Sequence, residues 1–263
     1  MRIEKLGMGD PELAVVAAIH GDEPCGAHAI EALLEEEPNV KRPVKFIIAN
    51  ERALERGVRY TETDMNREFP GNRDAEVDER RLAYELLMEL AGCTTLSLHS
   101  MRSEERPFAI VNTVGPIATA ICPYLSVEAV VETAGLLGPS LVDYTPVVEV
   151  ECGIQGTEQA TINAKRIIRE FLAATGVLLD NDVLDRCSVP VYRLREQLLK
   201  RESESTSCAF HVENFEPVLD GKPYATIDGR VLTADKLFYP VLMSGSEYTK
   251  QSGYAAELTG SLG

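Results

Sequence analysis

Hydrophobic residues in the first two-thirds of the chain follow two alternating patterns. Short apolar runs bounded by turn residues predict buried strands, at residues 13–19, 44–49, 94–98, 108–113 and 147–151. Between them, apolar residues recur every three or four positions, which predicts helices, over residues 24–36, 77–90, 116–124, 127–134 and 158–175. Strands that alternate with helices indicate an α/β fold, with a mostly parallel mixed sheet flanked by helices.

The pattern changes after about residue 186. Apolar and polar residues now alternate one by one, and the pairs Asp220-Gly221 and Asp228-Gly229 are typical of hairpin turns. The sequence therefore predicts a domain over residues 1–185 and a smaller β-rich C-terminal domain over residues 186–263.

Composition narrows the classes of function. The net charge of −16, with 42 acidic and 26 basic residues, predicts a surface that repels nucleic acid and anionic membranes. No apolar run is long enough to span a bilayer, and the N-terminus lacks the apolar core of a signal peptide. We expect a cytoplasmic protein. An acidic surface with few lysines also favours a halophilic source, with an ordinary acidic cytosolic protein as the alternative.

Side chains that bind metals follow several predicted strands, where α/β proteins hold their ligands. His20 and Glu23 follow the first strand, and His99 follows the third. Taken singly, such residues are more often ordinary polar residues. Together, two imidazoles and one carboxylate leave a fourth position for water, the arrangement of catalytic zinc. The sequence therefore predicts one Zn²⁺ per chain.

Glu151 ends the last of these strands in an apolar stretch. Burial raises the pKa of a carboxylate, which suits a general base that takes a proton from water and passes it to a leaving amine. A zinc ion that activates water and polarises a carbonyl would complete a hydrolytic site.

The segment 49–71 is rich in Asn and Arg and follows the second predicted strand. Its simplest interpretation is a solvated loop, although long loops after strands often carry function. Arg67 can bind a carboxylate with two parallel hydrogen bonds, and Asn66 can donate or accept beside it. Arg59 can stabilise the oxyanion that forms when a carbonyl is attacked.

Four motifs occur in order along the chain, and they read HGDE, RYTETDMNREFPG, LHS and VECGIQGT. In this order they resemble the succinylglutamate desuccinylase and aspartoacylase family, the catalytic domain of which is similar to that of zinc carboxypeptidases. The resemblance extends into the C-terminal part of the chain. It implies zinc ligands at His20, Glu23 and His99, a general acid/base at Glu151, and hydrolysis of the amide bond of a small N-acyl amino acid.

The resemblance also implies roles for residues outside the metal set. Arg59 matches the arginine that polarises the scissile carbonyl, while Asn66 and Arg67 match the residues that hold the substrate carboxylate. Asp64 begins the same motif and is expected to brace its loop. Tyr248 matches a tyrosine of the C-terminal domain that reaches into the pocket, although Tyr239 and Tyr254 lie close by in the sequence.

The chain departs from the family pattern at two places. Ser97 stands where aspartoacylase has an aspartate, so a partner of the third metal ligand is altered. The stretch 137–146 lacks an arginine that grips the amino-acid portion of the substrate. Arg102 or Arg106 is a candidate substitute, and of the two we place Arg102 in the predicted substrate site.

Two other classes of function remain open from the sequence. One is a carboxypeptidase-type peptidase, which is disfavoured because a C-terminal β-domain would cap the entrance and admit only small substrates. The other is a non-catalytic binding protein on the same scaffold. The acyl group, the amino acid and the oligomeric state are open, and a homo-oligomer is compatible with the sequence.

Overall fold

Strands and helices alternate along most of the chain in the computed structural model, which describes residues 1–178, 185–198, 208–243 and 253–263. The strands of this part are β1 Arg2–Leu6, β2 Leu13–Ala17, β3 Val44–Ile48, β4 Thr94–Met101, β5 Phe108–Val111, β6 Val130–Glu132, β7 Val147–Ile154, β8 Val189–Gln197, β9 Cys208–Phe210, β10 Pro223–Ile227, β11 Arg230–Thr233, β12 Tyr239–Val241 and β13 Tyr254–Leu262. The α-helices are α1 Cys25–Glu35, α2 Glu51–Arg56, α3 Asp78–Leu90, α4 Pro116–Ile121 and α5 Glu158–Ala174. Short 3₁₀ turns lie at Met65–Arg67, Cys122–Tyr124 and Leu141–Asp143. None of the helices in the described ranges is long and apolar enough to cross a bilayer.

A ten-stranded mixed sheet organises the molecule, with the order β1-β3-β2-β4-β7-β5-β6-β8-β13-β12. Its centre is parallel, because β2 pairs with both β3 and β4, and β4 pairs with β7, in the same direction. Strand β5 runs antiparallel to β7. This confirms the α/β fold with a mostly parallel mixed sheet that the sequence predicts.

Helices cover the sheet on both faces. Helices α1 and α5 pack against one face in a core that includes Ile30 and Phe171. Helix α3 covers the other face through Leu86 and Leu90. The strands of the centre are buried on both sides, which explains why they appear in the sequence as continuous apolar runs.

The C-terminal part is β-rich, as predicted, but its strands divide between two sheets. Strands β8, β13 and β12 extend the large sheet, while β9, β10 and β11 form a separate three-stranded antiparallel sheet. The small C-terminal sheet agrees with the predicted fold class. The domain boundary near residue 186 remains a prediction, because β8 pairs directly with β6 of the N-terminal part.

The helix predicted over residues 127–134 is wrong, because the segment contains strand β6. Its apolar residues are spaced as in a helix, yet Val130 and Val131 point into different cores on opposite sides of the sheet. Successive residues on opposite faces are the property of a strand. Two elements were missed in the sequence: the edge strand β1, which is mostly exposed, and the short helix α2 inside the segment interpreted as a loop.

The connection from β2 to α1 passes very close to α2. A Cβ atom added to Gly21 would lie 2.1 Å from the carbonyl carbon of Ala53, so only glycine permits this approach. The amide of Gly21 donates a hydrogen bond to the carbonyl of Arg59 at 3.1 Å. The contact fixes His20 and Arg59 relative to each other.

We predict that Gly21→Ala destabilises the fold by about 3 kcal/mol, because backbone must move against backbone to admit the methyl group. Gly115→Ala is the matched control, since a Cβ there meets nothing within 4 Å and costs under about 1 kcal/mol at a helix N-cap. Urea unfolding of the two variants measures the difference. Equal stability of the two variants would contradict the close approach.

Candidate active site

Three candidate metal ligands come from two neighbouring strands. His20 and Glu23 lie in the connection between β2 and α1, and His99 lies on β4, which pairs with β2. All three side chains are buried. The sequence predicts that His99 follows the end of its strand. This is wrong, because β4 continues to Met101 and His99 lies inside it.

The three side chains converge. One ligand atom from each of His20, Glu23 and His99 lies within 4.8 Å of the others. Nδ1 of His20 lies 2.8 Å from Oε1 of Glu23, and Nδ1 of His99 lies 3.0 Å from Oε2 of the same carboxylate. The structure thus brings together the set that the sequence singles out.

The surroundings of His20 fit a metal site. Nε2 of His20 lies 3.0 Å from Oδ1 of Asp64, which can only accept a hydrogen bond when ionised. Asp64 favours a proton on Nε2, while Nη2 of Arg59, which can only donate, lies at the same distance from that nitrogen. Nδ1 faces Glu23, and although it lies close to that carboxylate, it is buried and makes no hydrogen bond within the described residues. A buried nitrogen without a partner, beside a carboxylate and a second imidazole, matches the donor set of zinc.

The metal-free cluster has strongly coupled charges. Burial would lower the pKa of His99, but the carboxylates of Glu149 and Glu23 outweigh it and raise that pKa to about 10. Burial would raise the pKa of Glu23, but His20 and His99 hold it well below its usual range. The metal-free site is therefore an ionised carboxylate beside at least one protonated imidazole.

Glu151 lies beside His99. The two residues are register neighbours in the parallel pair of β4 and β7. Oε2 of Glu151 is buried and makes no hydrogen bond. Burial, together with the nearby charge of Glu23, raises the pKa of Glu151 to about 8. Like His99, Glu151 lies inside its strand, because β7 continues to Ile154.

The guanidinium of Arg59 contacts the cluster of candidate metal ligands directly. Its guanidinium donates to Oε1 of Glu23 at 2.9 Å and to Oδ2 of Asp64 at 3.2 Å, and its Nη2 lies 3.0 Å from Nε2 of His20. Asp64 also accepts from the amide of Asn66 at 3.0 Å. Asp64 therefore joins His20, Arg59 and the start of the 3₁₀ turn, in agreement with the expected bracing of this loop.

Asn66 and Arg67 lie on the 3₁₀ turn Met65–Arg67, at the wall of the same cavity. The side-chain oxygen of Asn66 accepts from the amide of Leu141 at 3.1 Å. The guanidinium of Arg67 donates to the carbonyls of Asn66 and Pro139, at 3.1 and 3.5 Å. Backbone acceptors thus orient Arg67 without neutralising its charge.

The two arginines after β4 differ in position. Arg102 lines the cavity and donates to Oε1 of Gln155 at 3.1 Å. Arg106 is paired instead with Glu104 and donates to the carbonyl of Asn214, outside the cavity. Of these two arginines, Arg102 is therefore the one that can contact a substrate in the cavity.

The predicted Tyr248 lies outside the described residues. Among the described residues of the C-terminal part, Leu242, Gly253 and Tyr254 line the cavity. Tyr254 is buried at the start of β13. Tyr254 lies six residues after Tyr248 in the sequence, and this proximity could have identified it as a residue of the cavity wall.

The cavity contains about 190 Å³ within the described part of the chain. Sequence reasoning missed several of its lining residues, among them Glu149, Ile110, Leu137 and Ser140. Glu149 could have been identified from the sequence, because in a strand the alternating residues of the VEVE run place Glu149 on the same face as Glu151. The others belong to segments that carry no chemical motif.

Comparisons with known proteins show which family this chain is similar to. Residues 9–102 match the model of the succinylglutamate desuccinylase/aspartoacylase catalytic domain. Mouse aspartoacylase is 24% identical over 291 aligned residues, covering 94% of this chain and 92% of its own. Rat aspartoacylase has the same identity and coverage.

Solved structures share the fold. A succinylglutamate desuccinylase from Silicibacter sp. TM1040 has a TM-score of 0.74 and 19% identity, covering 97% of this chain and 87% of its own. Murine aminoacylase 3 has a TM-score of 0.73 and 18% identity, covering 97% and 98%. The chain is therefore similar to members of the succinylglutamate desuccinylase/aspartoacylase family in the sequence of its N-terminal part and in its fold, in agreement with the resemblance that its four motifs carry.

We predict that zinc binding near pH 8 releases at least one proton per chain. His99 is protonated in the metal-free site because its pKa is about 10, and a ligand imidazole must be neutral. Glu23 contributes no proton, since it is already ionised. Titration calorimetry in buffers of different ionisation enthalpy gives the proton count as a slope. A slope of zero at pH 8 would contradict the charge state described for His99.

Proposed function

We propose that this protein is a zinc-dependent hydrolase that cleaves the amide bond of a small N-acyl amino acid. The observation that carries the proposal is the convergence of His20, Glu23 and His99 within 4.8 Å, with Glu151 in register beside His99. Similarity to the succinylglutamate desuccinylase/aspartoacylase catalytic domain and to aspartoacylase supports the same reaction class.

His20, Glu23 and His99 would hold one zinc ion. When bound, zinc acts as a Lewis acid toward water and toward the carbonyl oxygen of the amide. Burial and the charge of Glu23 increase the affinity of the Glu151 carboxylate for a proton. Glu151 can therefore take the proton from the attacking water and deliver it to the nitrogen of the leaving amine.

Arg59 would stabilise the negative charge that develops on the carbonyl oxygen. Its contacts with Glu23 and Asp64 hold the guanidinium at the ligand cluster. This supports a role at the reacting carbonyl rather than in binding a distant part of the substrate.

Arg67, with Asn66 beside it, would bind the carboxylate of the amino acid. The guanidinium is oriented by two backbone carbonyls. Within the described residues no carboxylate forms a salt bridge with it, so its charge is available there to a substrate. Arg102 provides a second cation at the cavity wall. Tyr248 is proposed as a further contact from the C-terminal part.

The small cavity favours this reaction over the cleavage of peptides. About 190 Å³ holds a small molecule rather than an extended chain. Leu242 and Tyr254 contribute to its walls, which supports the proposal that residues 186–263 narrow the entrance. A cytoplasmic location and a halophilic source remain predictions from composition.

A substrate screen tests the proposal. Zinc-loaded and metal-free protein are compared at high salt with a panel of N-acyl amino acids, and release of free amine is measured. We expect turnover of some members only in the zinc-loaded protein. Equal rates with and without zinc would refute the zinc-dependent hydrolase, and efficient cleavage of ordinary peptides would favour a peptidase.

Glu151→Gln should lower kcat by about 10²–10⁴-fold, because the amide side chain cannot accept the proton of the water. Zinc should remain bound in stoichiometric amount, which metal analysis checks. The control is Glu55→Gln, at an exposed position of α2, with an unchanged kcat. Full activity in Glu151→Gln would refute the assigned role.

Arg67→Gln should raise KM by about 10–100-fold for an N-acyl amino acid, because a charge-assisted pair with the substrate carboxylate is lost. The effect should disappear for the corresponding amino-acid amide, which lacks that carboxylate. Arg73→Gln, an exposed arginine on the same connection, serves as the control. An equal rise in KM for both substrates would contradict a role of Arg67 in binding the substrate carboxylate.

A further inference from the structure

Glu149 is a buried acidic residue with no part in the chemistry proposed above. It lies on β7, and 6% of its surface is exposed. Its Oε2 atom is buried and makes no hydrogen bond. Burying a carboxylate is unfavourable unless a positive or hydrogen-bonding group compensates for the lost hydration. The position of Glu149 therefore needs an explanation.

Within the described residues, the ring of His99 is a group that can compensate the charge of Glu149. Oε2 of Glu149 lies 3.7 Å from Nε2 of His99. The hydroxyl of Ser97 lies 3.2 Å from the same nitrogen. The other ring nitrogen, Nδ1, faces Glu23. The imidazole thus has its metal-facing side toward Glu23 and its opposite side toward Ser97 and Glu149.

Strand register produces this arrangement. Ser97 pairs with Glu149, and His99 pairs with Glu151, along the parallel strands β4 and β7. On its other side Glu149 pairs with Ile110 of β5, which offers no polar side chain. Of its described neighbours in the sheet, the groups that can meet the carboxylate of Glu149 are therefore those around His99.

A neutral imidazole that offers Nδ1 to a metal must carry its proton on Nε2. In a buried site this N–H needs an acceptor. The hydroxyl of Ser97 is a neutral acceptor, which can also donate. A carboxylate can only accept, so it favours the Nε2–H tautomer and increases the basicity of Nδ1.

We propose that Glu149 is a positioning residue for His99. Its charge, 3.7 Å from Nε2, favours a proton on that nitrogen, which lies within hydrogen-bond reach of the Ser97 hydroxyl, so that Nδ1 faces the metal position. The carboxylate reaches His99 from the neighbouring strand β7, while the position two residues before His99 on its own strand carries only a hydroxyl. This inference rests on the proposed metal site.

The test moves the carboxylate from one strand to the other. Glu149→Gln should weaken zinc binding about 10–100-fold, the range found for loss of such partners, as measured by competition with a chromophoric chelator. Adding Ser97→Asp to this variant should restore most of the affinity, because the new carboxylate replaces a hydroxyl that lies 3.2 Å from Nε2. A purely structural role for Glu149 predicts no such rescue.

Glu132→Gln is the matched control, since Glu132 is equally buried on β6 and is paired with Arg193. It should leave zinc affinity unchanged. In ¹⁵N-histidine spectra of the zinc-loaded protein, the Nε2–H signal of His99 should shift in Glu149→Gln and return toward its original position in the double variant.

Three outcomes would overturn the proposal. They are an unchanged zinc affinity in Glu149→Gln, a loss equal to that of Glu132→Gln, and a folded double variant in which neither affinity nor the Nε2–H signal recovers. Failure of the wild-type protein to bind zinc would overturn this proposal and the metal site together. Zinc binding without hydrolysis of any N-acyl amino acid would refute the proposed function alone, since these readouts do not depend on turnover.

Discussion

The parallel pairing of β4 with β7 is the constraint on which the rest of the site depends. It places His99 beside Glu151 and Ser97 beside Glu149. A register shift of one residue would turn every one of these side chains to the opposite face. The apolar residues between them prevent such a shift, because Leu98 and Val150 belong to the core under α1 and α5. The packing of one face therefore fixes the chemistry of the other.

The carboxylate of Glu23 plays the corresponding part for charge. Its oxygens lie against the imidazoles of His20 and His99, the guanidinium of Arg59 and the amide of Ser100, which donates at 3.2 Å. Removing the partner of a buried charge is strongly destabilising, because the charge is left without compensation. Since the partners come from separate segments of the chain, the ligand cluster depends on the assembled sheet rather than on any local motif.

The sequence was sufficient for the central strands and for the residues that converge at the site. Apolar runs identify strands that are buried on both faces, and the polar side chains that follow them stand out. It was insufficient where the decisive neighbour lies on another strand. Nothing in the sequence around residues 127–134 shows that Val130 and Val131 face different cores. The partnership of Ser97 with Glu149 also depends on register, which no single stretch of sequence contains. Arg102 and Arg106 are both candidates in the sequence, and the physical reason to prefer Arg102 comes from the fold, which places Arg102 at the cavity wall and pairs Arg106 with Glu104.

The pairing of β13 with β8 closes an edge of the large sheet. Strand β8 continues the parallel run beyond β6, and β13 covers the other edge of β8. Without β13, β8 would expose unpaired backbone groups to other chains, as edge strands do. Displacement of β13 would therefore put the protein at risk of intermolecular strand pairing. Because Tyr254 lines the cavity from the start of β13, the strand that protects this edge from aggregation also provides part of the cavity wall.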